Sequence, residues 1–167
     1  MTLDFQEKGA VKIDMQQYVK DMLDNFPIKY GPKEVATTPG GDRLFDQGTG
    51  KALDKTRQET FHTFVAKGLF LCKRARPDIQ QTIAILCMRV KDPNEADWQK
   101  LLRLMKYLNG TRTKVLRIKA DSIHIIKWYV DASFAVHPDF KSHTGGYMTM
   151  GEGNIQSISR KQKLNTR

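Results

Sequence analysis

A chain of 167 residues with 40% hydrophobic side chains is long enough for one or two small domains, and its composition excludes a disordered or fibrous protein. Its apolar stretches are far shorter than a membrane span, and no basic region followed by an apolar core opens the chain. We therefore expect an intracellular protein, cytoplasmic or nuclear, that is not secreted and has no membrane partner. Cys72 and Cys87 lack the spacing of a zinc ribbon or a disulfide framework.

The positive charge is concentrated in the middle of the chain. Residues 51–119 carry 16 basic and 6 acidic side chains, whereas residues 1–50 have a net charge of −2 and residues 120–167 a net charge of +2. Basic charge concentrated on one segment is typical of contact with a phosphate backbone. The alternative is a solvated face that serves only solubility.

The N-terminal third predicts a hairpin, a helix and a connector. Residues 2–5 and 11–13 flank a Glu-Lys-Gly turn, and residues 15–26 have apolar side chains at helical spacing. Residues 27–54 contain three prolines and five glycines, which predicts a long irregular connector. Such a loop is unusual within a compact domain and is either functional or mobile.

Three helices are predicted to follow and to form a small bundle. The first spans about residues 55–73, the second starts near Pro77 and stops before Pro93, and the third starts with Asn94 as its N-cap. Gly110 is predicted to end the third helix in a left-handed conformation.

Basic residues lie on two of these helices. On the third helix they recur every three residues, opposite the apolar stripe of Trp98, and others lie on the first helix and at its end. Together they predict a strip that follows a duplex backbone without reading the bases, although an ordinary exposed helix face would look the same. The residues are Lys67, Lys73, Arg74, Arg76, Lys100, Arg103 and Lys106.

Strands dominate the last third. Residues 115–118 are predicted to pair with residues 123–130 across a short turn, and the second of these strands is apolar on both faces, which favours a sheet interior. Asp131 closes that strand. A carboxylate there would require a cation, or it would only end the strand and accept a hydrogen bond from a nearby backbone amide. The strand alone leaves both interpretations open.

Two alternating segments follow, separated by a glycine-rich break, so Asp131 is predicted to lie on the first strand of a three-stranded antiparallel meander. His137 and His143 flank Pro138 between these strands, but no cysteine pair completes a zinc set.

This succession resembles the opening of the ribonuclease H domain of copia-type retrotransposon polyproteins. The matching pieces are Tyr129-Val130-Asp131-Ala132, then Lys141-Ser142-His143-Thr144-Gly145-Gly146-Tyr147, then Ser159-Arg160-Lys161-Gln162. Upstream, residues 75–79 and 98–111 resemble two helical segments of the same polyproteins, and residues 1–5 resemble a strand that follows the polymerase active site. The resemblance covers essentially the whole chain.

The resemblance implies an α+β fold: an N-terminal hairpin and a small helical bundle, followed by the three-stranded antiparallel meander of a truncated ribonuclease H-like fold. Residues 1–114 would be a thumb and connection-like region of the reverse transcriptase, with the irregular connector at 27–54. Residues 115–167 would be the incomplete N-terminal part of a ribonuclease H-like domain.

The parent activities implied are RNA-directed DNA synthesis and hydrolysis of RNA in RNA–DNA hybrids. The parent domain uses two magnesium ions, for which Asp131 would be the catalytic carboxylate and metal ligand. Arg160 and Lys161 would join the strip as contacts to hybrid or duplex, and the rest of the polyprotein would be a partner. The chain has no adjacent Asp pair for a polymerase, and it lacks the Glu on the helix after the third strand.

We therefore expect the chain to be inactive alone and to bind no magnesium tightly, because one carboxylate holds this ion weakly. The alternatives are a non-catalytic basic module that binds nucleic acid and a remnant without function. We also expect the third strand to leave an open edge.

Overall fold

A computed structural model describes residues 1–46, 48 and 50–163. Gln47, Thr49 and residues 164–167 lie outside the described residues, as do the parts of the predicted connector and C-terminal region that fall on them. The elements in chain order are β1 (Thr2–Asp4), β2 (Ala10–Asp14), α1 (Gln16–Asn25), α2 (Lys55–Cys72), α3 (Gln80–Cys87), α4 (Glu95–Gly110), β3 (Leu116–Ala120), β4 (Lys127–Ser133), β5 (His143–Thr149), β6 (Gly151–Glu152) and β7 (Gln156–Lys161). The predicted α+β class is confirmed.

The helices pack around one apolar core. Phe26, at the end of α1, is fully buried and contacts Phe64 of α2 edge-to-face, with 4.8 Å between ring centroids. The Phe26 ring also stacks on Trp98 of α4, with 5.9 Å between ring centroids. Ile83 and Leu86 of α3 are buried in the same core, so the predicted bundle of α2, α3 and α4 is present, and the aromatic contacts of Phe26 add α1 to it. No helix among the described residues is long and apolar enough to cross a bilayer.

Local signals fix the helix ends. The Asp54 side chain accepts a hydrogen bond from the Arg57 amide at the start of α2. At α4, Asn94 and Asp97 form a reciprocal capping box, as the predicted N-cap requires. The prediction for Gly110 is wrong in one respect: it is the last helical residue, and the described glycines with positive φ are Gly9 and Gly153. The chain leaves α4 through Thr111, whose amide donates to Leu108 O at 3.2 Å.

The connector has no regular element over its described residues and lies along α4. Asn109 Nδ2 donates to the carbonyl oxygens of Gly31 and Glu34 at 3.0 and 3.1 Å. Arg103 Nη2 donates to Thr38 Oγ1 at 2.9 Å. The connector thus covers part of the helix face that was predicted to carry the basic strip.

The strands form two antiparallel sheets, with orders β1-β2-β3-β6 and β4-β5-β7. The predicted N-terminal hairpin is β1-β2, and the predicted meander is the second sheet. The predicted pairing of β3 with the strand before Asp131 is wrong. β3 lies between β2 and β6, with Val11 opposite Ile118.

Charge supports that position of β3. Arg117 forms ion pairs with Glu7, in the turn before β2, and with Glu152 in β6. One guanidinium therefore holds together segments that are far apart in the chain. The apolar residues Ile123 and Ile126 lie in the segment before β4 and are exposed.

Candidate functional site

Asp131 lies on an exposed edge strand, not in a sheet interior. In the register of the second sheet it faces Gly145 of β5, and residues 128–133 of β4 are all exposed. Its Oδ1 accepts a hydrogen bond from the Ala132 amide at 2.8 Å. The expectation of a buried carboxylate is wrong, because β4 pairs with β5 on one side and has no strand partner among the described residues on the other. The observed contact is the one foreseen by the simpler interpretation, a carboxylate that accepts from a nearby backbone amide.

The surroundings of Asp131 do not suit a pair of magnesium ions. A two-ion site requires several carboxylates around ions about 4 Å apart. Within the described residues, no group of three or more His, Cys, Asp or Glu side chains could hold a metal ion. Asp131 therefore offers a single solvent-exposed carboxylate at this edge of the sheet.

Arg76 is the clearest departure from the predicted basic strip, because its side chain is only 2% exposed. Its guanidinium donates to both carboxylate oxygens of Asp78 and to Thr111 O and Oγ1 at 3.1 and 2.7 Å. A phosphate cannot reach a guanidinium enclosed in this way. This burial contradicts the prediction that Arg76 contacts nucleic acid, because its guanidinium instead links Asp78, in the turn before α3, to Thr111, at the end of α4.

The basic residues of α4 are also partly occupied. Lys100 is half-buried, with Nζ against the Asp46 carbonyl oxygen and 3.8 Å from Asp97 Oδ1. Burial lowers the Lys100 pKa, against the opposing effects of Asp97 and Asp46. Arg103 is held by Thr38, and Lys106 Nζ lies 5.9 Å from the centre of the Tyr30 ring. Each of these three side chains therefore contacts a different residue of the connector and is partly covered by it.

The remaining predicted contacts lie at the end of α2 and on β7. Lys73 and Arg74 are exposed, as is Arg160 on β7. Lys73 Nζ donates to Ser157 O of β7 at 3.2 Å, so the helix end and the strand adjoin. Lys67 lies further back on α2 with Nζ 5.0 Å from the Phe64 ring centre, and Lys161 pairs with Asp139 at 2.6 Å. The open positive surface is thus smaller than the predicted strip.

A buried histidine pair was not predicted. His137 Nε2 lies 3.1 Å from His143 Nδ1, and His143 Nε2 lies 2.8 Å from Ser159 Oγ. The Phe45 ring, from the connector, contacts both imidazoles edge-on at 5.5 and 5.3 Å. Burial lowers the pKa of both histidines, the nearby Lys161 adds to the effect on His137, and His137 adds to the effect on His143. The sequence showed the two histidines on either side of Pro138 but not the aromatic ring that covers them.

Comparison with known proteins gives the context for these surfaces. The chain is 29% identical over 154 residues to a putative transposon Ty5-1 protein of Saccharomyces cerevisiae, an alignment that covers 92% of this chain and 49% of the yeast protein. It is 26% identical over 156 residues to the retrovirus-related Pol polyprotein from transposon RE1 of Arabidopsis thaliana, covering 92% of this chain and 10% of the polyprotein. It is 28% identical over 96 residues to the secreted RxLR effector protein 161 of Plasmopara viticola, covering 57% of this chain and 68% of the effector.

The chain thus spans about half of the Ty5-1 protein and a tenth of the RE1 polyprotein. No protein-family profile matches it, and no solved structure does. Both transposon proteins align with nearly the full chain, whereas the effector aligns with little more than half. The chain is therefore similar over nearly its full length to retrotransposon proteins, in agreement with the copia-type polyproteins that its motifs resemble.

Proposed function

We propose that this chain is the part of a retrotransposon polyprotein in which a thumb and connection-like region of the reverse transcriptase continues into the first strands of a ribonuclease H-like domain. The observation that carries the proposal is the antiparallel sheet β4-β5-β7, whose strands bear the three motif pieces in chain order. Asp131 is the one family carboxylate within these strands. The protein acts inside the cell as part of the longer polyprotein.

The isolated chain is not a nuclease on this proposal. Hydrolysis of a phosphodiester by two magnesium ions requires several carboxylates, and Asp131 is a lone exposed ligand. The test is incubation of the purified chain with a labelled RNA–DNA hybrid in magnesium, beside the Asp131→Asn variant. We expect intact RNA with both proteins. Cleavage that disappears in Asp131→Asn would refute this part of the proposal.

A second candidate function is non-catalytic binding of nucleic acid, which the exposed end of α2 favours. Lys73 and Arg74 are adjacent, exposed and next to β7, which carries the exposed Arg160. Phosphate contacts of this kind are independent of base sequence and weaken with salt, with a slope of about −0.9 per phosphate neutralised on B-form duplex. Binding of hybrid without cleavage would identify the chain as such a module.

The salt dependence of binding tests the surface directly. Anisotropy of a labelled hybrid should show a slope of log K against log salt that falls by roughly 2 when Lys73 and Arg74 are both replaced by Gln. The matched control replaces Lys8 and Lys20, which are also exposed and lie near the N-terminus, by Gln. Equal slopes for both double variants would remove the end of α2 from the interface. Absence of binding at low salt would leave a remnant without nucleic-acid function.

A further inference from the structure

The buried pair of His137 and His143 joins the connector to the second sheet. The two residues are 5% and 4% exposed, and both imidazoles contact the ring of Phe45. His143 is the first residue of β5, His137 lies between β4 and β5, and Phe45 belongs to the connector. Three segments of the described chain therefore bury this contact, and it remains buried whatever follows β7 in a longer protein.

The hydrogen bonds of the pair require at least one neutral imidazole. His137 Nε2 lies 3.1 Å from His143 Nδ1, and His143 Nε2 lies 2.8 Å from Ser159 Oγ of β7. Of the two facing nitrogens one donates a hydrogen bond and the other accepts it, so the acceptor carries no proton. If both rings were protonated, two N–H groups would point at each other. The closed contact can therefore hold at most one added proton.

The surroundings oppose even this first proton. Burial and then the charge of Lys161 lower the His137 pKa, whereas Asp139 acts in the opposite direction. Asp139 is itself paired with Lys161 at 2.6 Å and lies 3.9 Å from Lys141. Burial and then His137 lower the His143 pKa. The closed contact therefore stays unprotonated at pH values where a solvated imidazole, with a pKa of about 6.5, takes up a proton.

The other charged groups near the pair line a cavity of about 140 Å³ beside His137. The connector, the helical bundle and β7 all contribute to its wall, and its charged residues are Asp46, Arg89, Lys100 and Lys161. Arg89 is paired with Asp97 at 2.8 Å, and Lys100 Nζ donates to the Asp46 carbonyl oxygen. No described carboxylate forms an ion pair with either imidazole. A proton on the pair would therefore have no counter-ion in contact with it.

The bundle is also joined to the second sheet by contacts that contain no histidine. On β7, Ser157 Oγ donates to Gln80 Oε1 of α3 at 2.8 Å, and Ser157 O accepts from Lys73 Nζ at 3.2 Å. These contacts cover part of the β7 edge that was predicted to be open. They would keep the sheet attached to the bundle if the Phe45 contact opened, and the described connector has no regular element that would resist such a local opening.

We propose that the His137–His143 pair is a proton-sensitive contact, which holds the connector on the second sheet at neutral pH and releases the Phe45 ring below about pH 6. The closed state holds at most one proton on the pair, whereas the open state, with both imidazoles in water, takes up two. The equilibrium constant for opening therefore rises by up to about a hundredfold for each pH unit of acidification, against about tenfold for a single histidine.

The test follows the Phe45 ring by fluorine NMR of the chain labelled with fluorophenylalanine. The Phe45 signal is identified by its loss in Phe45→Leu, and the titration runs between about pH 5 and 8, above the range in which most carboxyl groups titrate. The logarithm of the opening constant should change with pH with a slope approaching about 2 in the wild type, and about 1 in His137→Gln or His143→Gln. The variant with both replacements should show no pH-dependent opening.

The matched control replaces the other two histidines, His62 and His124, which are both exposed, by Gln. This control should titrate as the wild type does. Circular dichroism over the same pH range should show a constant helical signal while the Phe45 signal moves, because the contacts of Ser157 persist.

Three results would overturn the proposal. The first is a Phe45 signal that does not respond to pH, and the second is a response that survives replacement of both histidines. The third is a signal that moves only when circular dichroism shows unfolding of the whole chain. The wild-type titration is decisive even if a variant fails to fold, because a slope of about 1 or less would exclude the uptake of two protons.

Discussion

Replacing Arg76 by Met tests whether this residue is structural. Met keeps the apolar bulk but removes the guanidinium that donates to Asp78, to Thr111 O and to Thr111 Oγ1. Removal of one partner from a buried ion pair costs about 3 to 5 kcal/mol. Because the Asp78 side chain is 30% exposed, water can partly replace the lost donor. We therefore expect a loss near the lower limit, about 3 kcal/mol.

Urea denaturation followed by circular dichroism measures this loss, and thermal unfolding should show a melting temperature lower by about 6 to 12 °C for a chain of this length. The control is Arg74→Met, whose guanidinium carbon lies 3.7 Å from the Phe70 ring centre in an exposed pair. That variant should lose at most about 1 kcal/mol. A change below 1 kcal/mol for Arg76→Met, with a weaker salt dependence of hybrid binding, would refute the reasoning and return Arg76 to the nucleic-acid surface.

Acid pH extends the same test. Burial raises the Asp78 pKa, but the hydrogen bonds and charge of Arg76 outweigh it, and the net pKa is lowered. A carboxyl with a lowered folded-state pKa contributes stability that is present above its unfolded pKa of about 3.9 and is lost as the pH falls through the folded value. The difference in unfolding free energy between the wild type and Arg76→Met should therefore narrow below pH 4.

Three further predictions concern other parts of the fold. Burial lowers the pKa of His137 and His143, so the folded state binds fewer protons than the unfolded state, and the unfolding free energy should fall as the pH drops below about 6.5. Replacing both histidines by Gln should flatten the dependence of the unfolding free energy on pH, as measured by urea titrations. The same pH dependence in the wild type and the variant would count against this prediction. A Cβ on Gly68 would lie 2.3 Å from Ile83 Cδ1, so Gly68→Ala should destabilise the protein by about 1 to 2 kcal/mol, with part recovered when Ile83→Val is added. Asn94→Ala removes the α4 cap and should lower the unfolding free energy, measured by chemical denaturation, by about 1 kcal/mol. An unchanged unfolding free energy would show that the capping box does not form in solution.

The helices were predictable because their signals are local. Apolar spacing and capping residues placed α2 at residues 55–73 and α4 from Asn94, and the structure gives Lys55–Cys72 and Glu95–Gly110. The meander was also predictable, since alternation and a glycine-rich break are read from adjacent residues. In each case the determining residues lie within a few positions of the element that they define.

Pairing over long distances was not predictable in the same way. In β3, Arg117 meets Glu7, 110 positions earlier in the chain, and Ile118 faces Val11 of β2, so the partner of β3 cannot be read from neighbouring residues. The burial of Arg76 depends on Thr111, 35 positions later, and the histidine pair depends on Phe45 from the connector. Apolar residues on both faces of β4 favoured an interior strand, but position within a sheet depends on which strands flank it, and no local pattern specifies that.

The exposure of Asp131 changes what supports its assignment as a metal ligand. The desolvation argument no longer applies, so the hypothesis rests on the resemblance of the motif around Tyr129. A two-ion site at Asp131 requires several further carboxylates close to this strand, and the described residues supply no such group.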